Sequence, residues 1–147
     1  MKSKIRALLP EDRIAWETLW TGYLHFYRVE LPADVTNVTW ERLLDTDVDI
    51  HGLVAEEPSN GQVVGIVHFL FHPVTWSVSP RCYLEDLFVS DDARGTGAGR
   101  ALIEAVYDAA DARQADQVYW LTEDDNEVAR RLYDRVGQHT PFIKYRR

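Results

Sequence analysis

The sequence predicts a layered α/β fold, of the mixed kind also described as α+β, and three observations predict it. Strand-like segments follow one another at residues 51–56, 62–71 and 82–89, parted by turn signals, which implies an antiparallel run. After Val89 the pattern changes to helix then strand, which implies a parallel crossover. Helical stretches with apolar stripes stand on both sides of the strand run, each with a face to bury. The 147 residues show no internal repeat, low-complexity tract or linker, so residues 1–147 are read as one domain.

Residues 4–8 form the first short strand, and Pro10 then suits the first turn of a helix. The spacing predicts that helix over 11–28, with Trp16, Trp20, Tyr23 and Tyr27 along one stripe that reads as core before ligand contact. Pro32 breaks the pattern, and residues 39–44 form a second short helix with Thr39 as cap. Residues 51–56 are a strand, Pro58-Ser59-Asn60-Gly61 a hairpin turn, and 62–71 the returning strand. Pro80 precedes the strand 82–89, and residues 90–99 are a loop with three alternating glycines. Residues 100–113 are helical with Leu102, Val106 and Ala110 on one face, and 117–121 are strand-like. A helix over 126–136 has Val128, Leu132 and Val136 as its buried stripe, Gly137 suits its carboxyl cap, and 141–145 are a last short strand. The order is β-α-α-β-β-β-α-β-α-β, with a mixed central sheet whose first half is antiparallel.

Composition excludes several function classes. Acidic residues number 24 against 16 basic, a net charge of −8, and such a field repels the phosphates of a nucleic acid, so no nucleic-acid partner is expected. Arg130, Arg131, Arg135, Lys144, Arg146 and Arg147 make only the end basic. An acidic balance is ordinary for a solvated surface, and it also favours a cationic substrate. Cys82 has no partner cysteine, which fits a reducing compartment, and within a strand it reads as core rather than nucleophile. No apolar run approaches the ~20 residues of a membrane span, and no signal-peptide core follows the first residues. A cytoplasmic location without a membrane partner is expected. His68 and His72 share a strand face, but at ~3.3 Å per residue they stand about 13 Å apart, too far to chelate one metal. Either could border an acceptor site, although core or surface roles are the simpler reading. Nothing else has metal-ligand spacing, and no metal is expected.

Chemistry concentrates in residues 83–99, YLEDLFVSDDARGTGAG, where a buried strand enters a glycine-rich loop that opens a helix. Glycines allow close backbone approach to an anion, and a helix's free first amides hold it. A P-loop is excluded because Arg100-Ala101 follows Gly99 where Lys-Ser/Thr is needed. The dinucleotide fingerprint is excluded because one residue, not two, separates Gly97 from Gly99. What remains, Arg94-Gly95-Thr96-Gly97-Ala98-Gly99 directly after Leu87-Phe88-Val89, resembles the pyrophosphate turn of the GNAT N-acetyltransferase superfamily. A second match is Asn126-Glu127-Val128-Ala129-Arg130-Arg131-Leu132-Tyr133, similar to that family's Asn-x-x-Ala-x-x-x-Tyr helix. The resemblance covers residues 48–147 well and the amino-terminal helices in pattern only. Tyr83–Val89 looks like the strand of spermidine/spermine acetyltransferases, whereas Val118-Tyr119-Trp120-Leu121-Thr122 and the carboxyl end look like the histone/polyamine subgroup.

The resemblance implies the GNAT fold, acetyl-CoA as co-substrate, and a set of roles. Arg94, Gly95, Thr96, Gly97, Ala98, Gly99 and Arg100 would hold the pyrophosphate, and amides beside Leu87, Phe88 and Val89 the pantetheine arm and thioester oxygen. Tyr133 would protonate the leaving thiolate, a suitable task for a phenol that ordinarily titrates near pH ~10. Glu85 would relay the proton from the amine, or else pair structurally with an arginine such as Arg81. Because neighbours on a strand alternate, Glu85 and Asp86 are expected on opposite faces, with Asp86 structural or a secondary acceptor of substrate charge. Asn126 would contact the cofactor, cap its helix, or do both. Solvated surface roles remain open for Arg94 and Arg100, and Arg130 or Arg131 could meet the 3′-phosphate.

The expected reaction is acetyl transfer from acetyl-CoA to the primary amine of a diamine, polyamine or related small molecule, by direct attack in a ternary complex. A protein lysine or amino terminus is the second acceptor class, and a catalytically inactive acetyl-CoA-binding module the non-enzymatic alternative. Only ten residues follow Gly137, too few for the family's usual final hairpin, so the last strand is expected to pair with or cross into a second subunit of a homodimer.

Overall fold

A computed structural model describes residues 2–147. Its sheet has five strands in chain order: β1 (Lys4–Ala7), β2 (Ile50–Glu56), β3 (Val63–His72), β4 (Arg81–Val89) and β5 (Val118–Tyr119). The first four pair antiparallel, and β5 joins β4 in parallel, so the mixed sheet has the expected antiparallel first half. Four helices cover it: α1 (Arg13–Phe26), α2 (Ala33–Leu44), α3 (Ala98–Ala112) and α4 (Glu127–Val136).

Alternation along β3 sorts the two cores. Val67, Phe69 and Phe71 face α3 and pack with Leu102, Ile103 and Val106, whereas Ile66 faces Trp16, Trp20 and Trp40 of α1 and α2. The aromatic stripe predicted for α1 is therefore core at Trp16 and Trp20 and only half-buried at Tyr23 and Tyr27.

Four expectations need correction. Helix α2 begins at Ala33, six residues before Thr39, with Pro32 rather than Thr39 at its cap position. Packing recruits the extra turn, since Trp20 donates its indole N–H to Thr36 at 3.2 Å. Strand β5 is cut to two residues because Trp120 turns toward α4, its ring 5.5 Å from that of Tyr133. Val128 is exposed, so α4 packs through Leu132, Tyr133 and Val136. The expected carboxyl cap at Gly137 is present, its N–H donated to the Tyr133 carbonyl at 2.8 Å from an extended backbone, and what demands glycine there is Trp120, 2.7 Å from where a Cβ would stand. Residues 141–145 form no strand, and Phe142, Ile143 and Tyr145 are exposed.

Candidate active site

Strand β4 outruns its neighbour on the outer side. Its last pair with β5 is Tyr83 with Tyr119, so no strand flanks Leu84–Val89 there. Ser90 donates its N–H to Val64 of β3 at 2.8 Å. By antiparallel alternation, the Phe88 amide also faces β3, while those of Leu87 and Val89 point to the open side. Two outward donors thus stand on a bare edge.

The edge leads into the glycine turn. Gly95 and Gly97 hold φ of +80° and +90°, and a Cβ on either would meet nothing within 4 Å, so backbone conformation rather than packing calls for glycine. From Gly97 the 15-residue α3 departs, presenting the unpaired first-turn amides of Ala98, Gly99 and Arg100 and the positive end of its dipole. The remaining side chains of the turn are engaged locally. Thr96 donates its hydroxyl to the Ala93 carbonyl at 2.5 Å, Arg94 pairs with Asp91 at 3.1 Å, and Arg100 pairs with Glu104 at 2.8 Å.

Halfway along β4 the alternation fails. Cys82 and Leu84 face α3, and so do Leu87 and Val89, while the pairing of β3 with β4 slips between His68 and Phe69. This β-bulge at Glu85 turns Glu85 and Asp86 to the same face, that of α1, instead of to opposite faces. Asp86 accepts from His68 Nδ1 at 2.9 Å, and the Tyr23 hydroxyl lies beside it. Glu85 has no arginine: Arg81 is held by Asp116 at 2.7 and 3.1 Å. Partial desolvation, then the charge of Asp86, pushes the Glu85 carboxyl above its ordinary range.

Aromatic hydroxyls line the rest. Tyr83 stacks on Tyr119 at 4.8 Å, and Tyr119 bonds His72 at 2.9 Å. Burial, then the charges of Glu123 and Asp86, raises the Tyr27 phenol. Tyr133, on α4, is pushed up to about 12 by burial first and then by Tyr27. Asn126 caps α4, accepting from the Ala129 amide at 3.3 Å. Tyr133, seven residues on and on nearly the same helix face, packs its ring on Trp120 and lies near Tyr27, while its neighbour Leu132 approaches Gly99 at the start of α3.

Residues 14–138 match the model of the Acetyltransferase (GNAT) family. The chain belongs to the GNAT acetyltransferase family. A D-amino-acid N-acetyltransferase of Saccharomyces cerevisiae is 36% identical over 143 residues, covering 97% of this chain and 89% of that protein. A thialysine N-epsilon-acetyltransferase of Bos taurus is 34% identical over 93 residues, 59% of this chain and 54% of that protein. Among solved structures, AAC(6')-Iy in complex with the bisubstrate analog CoA-S-monomethyl-acetylneamine aligns with a TM-score of 0.85 at 19% identity, covering 100% of this chain and 98% of that one.

This GNAT member is accordingly an acetyl-CoA-dependent N-acetyltransferase, and its residues fit the donor. Open space above two left-handed glycines and a row of unpaired amides are features that can accommodate a pyrophosphate. Among the described residues no group of three His, Cys, Asp or Glu is placed to hold a metal ion, and no helix is long and apolar enough to cross a membrane. Sequence reasoning offered His68 only as a residue that could border an acceptor site, and it overlooked Tyr23 and Tyr27 as neighbours of the carboxylates. The available signal was the Glu85-Asp86 pair itself, two charges interrupting an apolar strand.

Proposed function

We propose that this enzyme acetylates the primary amine of a small molecule, with an amino acid or a short diamine as the acceptor. The observation that carries this reading is the bulge at Glu85, which sets two carboxylates and a tyrosine wall side by side on the bare edge of β4. A cationic amine is drawn to paired carboxylates, and tyrosines offer it both apolar faces and hydroxyls. The names of the two enzymatic relatives, which specify D-amino acids and thialysine, support an amino-acid acceptor.

The turn from Arg94 to Arg100 and the outward amides of Leu87 and Val89 would hold acetyl-CoA, which supplies an acetyl group activated as a thioester. Fixed N–H dipoles on that edge stabilise charge where it develops on the carbonyl oxygen. Glu85 takes the proton the amine must lose, directly or through water, and its raised pKa makes it a stronger base than a free carboxylate. Asp86 holds the amine's charge as it arrives. Tyr133, still protonated at neutral pH, gives its proton to the departing sulfur.

Thiol release from acetyl-CoA tests this against a panel of D- and L-amino acids, thialysine, diamines, polyamines and a lysine peptide. Turnover with the small amines is expected. Turnover with the peptide alone would transfer the reading to protein acetylation, and cofactor binding without turnover would leave a binding module. We further propose a homodimer, since Phe142, Ile143 and Tyr145 are uncovered in a single chain. A monomer by light scattering at micromolar concentration contradicts it.

A further inference from the structure

Among the described residues His68 is the one buried titratable side chain beside the site that the transfer does not consume, and both of its ring nitrogens are engaged. Trp16 donates its indole N–H to Nε2 at 3.0 Å. An indole can only donate, so Nε2 must present a lone pair, and the proton of the neutral ring resides on Nδ1. That N–H points at Asp86 Oδ2, 2.9 Å away, and donates to it. Trp16 cannot swing clear, because it is fully buried between Trp20 and Trp40, with ring centroids at 5.9 and 5.0 Å. Three elements thus form one directed chain, from Trp16 on α1 through His68 on β3 to Asp86 on β4.

We propose that His68 is a positioning residue for the acceptor amine: in the tautomer that Trp16 imposes, it fixes one oxygen of Asp86 so that the other meets the incoming cation beside Glu85. The inference rests on reading this edge of β4 as the acceptor site. A histidine that only filled the core would need neither a dictated tautomer nor a carboxylate at the site's margin as its partner. The bulge at Glu85 also belongs to the device, because without it only one of the two carboxylates would share a face with His68.

Two substitutions separate the ring's two bonds. His68→Asn places an amide N–H near the position of Nδ1 and retains a donor for Asp86. His68→Gln places its amide near Nε2, keeps a partner for Trp16 and withdraws the donor. Loss of a hydrogen bond to a charged group predicts a rise of about ten- to hundredfold in the amine KM of His68→Gln, with kcat and acetyl-CoA affinity within about threefold. His68→Asn is expected to keep the amine KM within about threefold of the parent value. Equal amine KM in the parent and both variants overturns the proposal, and so does a loss of stability or kcat with KM unmoved.

A second readout does not depend on turnover. In ¹⁵N-histidine-labelled protein, the His68 ring is expected to show a protonated Nδ1 and a bare Nε2. Its Nδ1–H signal should move when an amine is titrated into the CoA complex. A proton on Nε2, or a signal indifferent to bound amine, overturns the proposal even if the substituted proteins fail to fold. Failure to acetylate any amine would instead count against the proposed function, and the ring spectrum would still decide the role of His68 through amine binding.

Discussion

Along one edge of β4, the glycine turn at its carboxyl end and the carboxylate pair at its middle are built by opposite means. The turn is made of backbone: two left-handed glycines, the unpaired amides of α3, and side chains that satisfy one another locally. The carboxylate pair is made of side chains brought from α1, β3 and β4, and it exists only because the register of β3 against β4 slips by one residue. Donor binding should therefore answer to backbone geometry, and acceptor chemistry to individual functional groups. Substitutions that affect one and spare the other sharpen this division, and substitutions that damage both together break it.

The largest effect is expected at Glu85. Glu85→Gln removes the proposed base without changing the strand, so turnover should fall by at least about a hundredfold while acetyl-CoA affinity measured by calorimetry stays put. Tyr133→Phe comes next, with kcat lowered about ten- to hundredfold in thiol-release assays and little change in donor affinity. An unchanged kcat would remove its role as acid. Gly97→Ala addresses the other region. A left-handed conformation costs a residue with a Cβ about 1–2 kcal/mol, so acetyl-CoA binding should weaken by roughly tenfold. The amine KM should not follow it. The smallest effect on kcat concerns Asp86, whose charge is the second cause of the raised Glu85 pKa, after desolvation. A base works only when unprotonated, so Asp86→Asn should move the acidic limb of the kcat profile to lower pH. A move upward would contradict the pairing.

The same division governs what could be read from the sequence. Arg94–Gly99, the β2–β3 hairpin and the Asn126–Tyr133 helix are local patterns, in which a turn or cap is specified by the residues that form it. The bulge is a property of two strands in register, and strict alternation along β4 puts Glu85 and Asp86 on opposite faces where the bulge sets them on one. The first half of α2 escapes a reading of the sequence because residues 34–38 are weak helix formers whose structure rests on contacts such as that of Thr36 with Trp20. Residues 141–145 alternate like a strand but lie beside no partner in a single chain, and a strand without a ladder is not formed. His68 was legible as a lone histidine on a strand. Its meaning required Trp16, 52 positions away.

The most direct test is kcat against pH at saturating amine, for the parent enzyme and for Glu85→Gln. The account predicts an acidic limb in the parent above the ordinary glutamate range of about 4.3, and its disappearance from the residual rate of the variant. A limb that persists unchanged in Glu85→Gln would show that another group takes the proton, and the bulge would lose its part in the reaction.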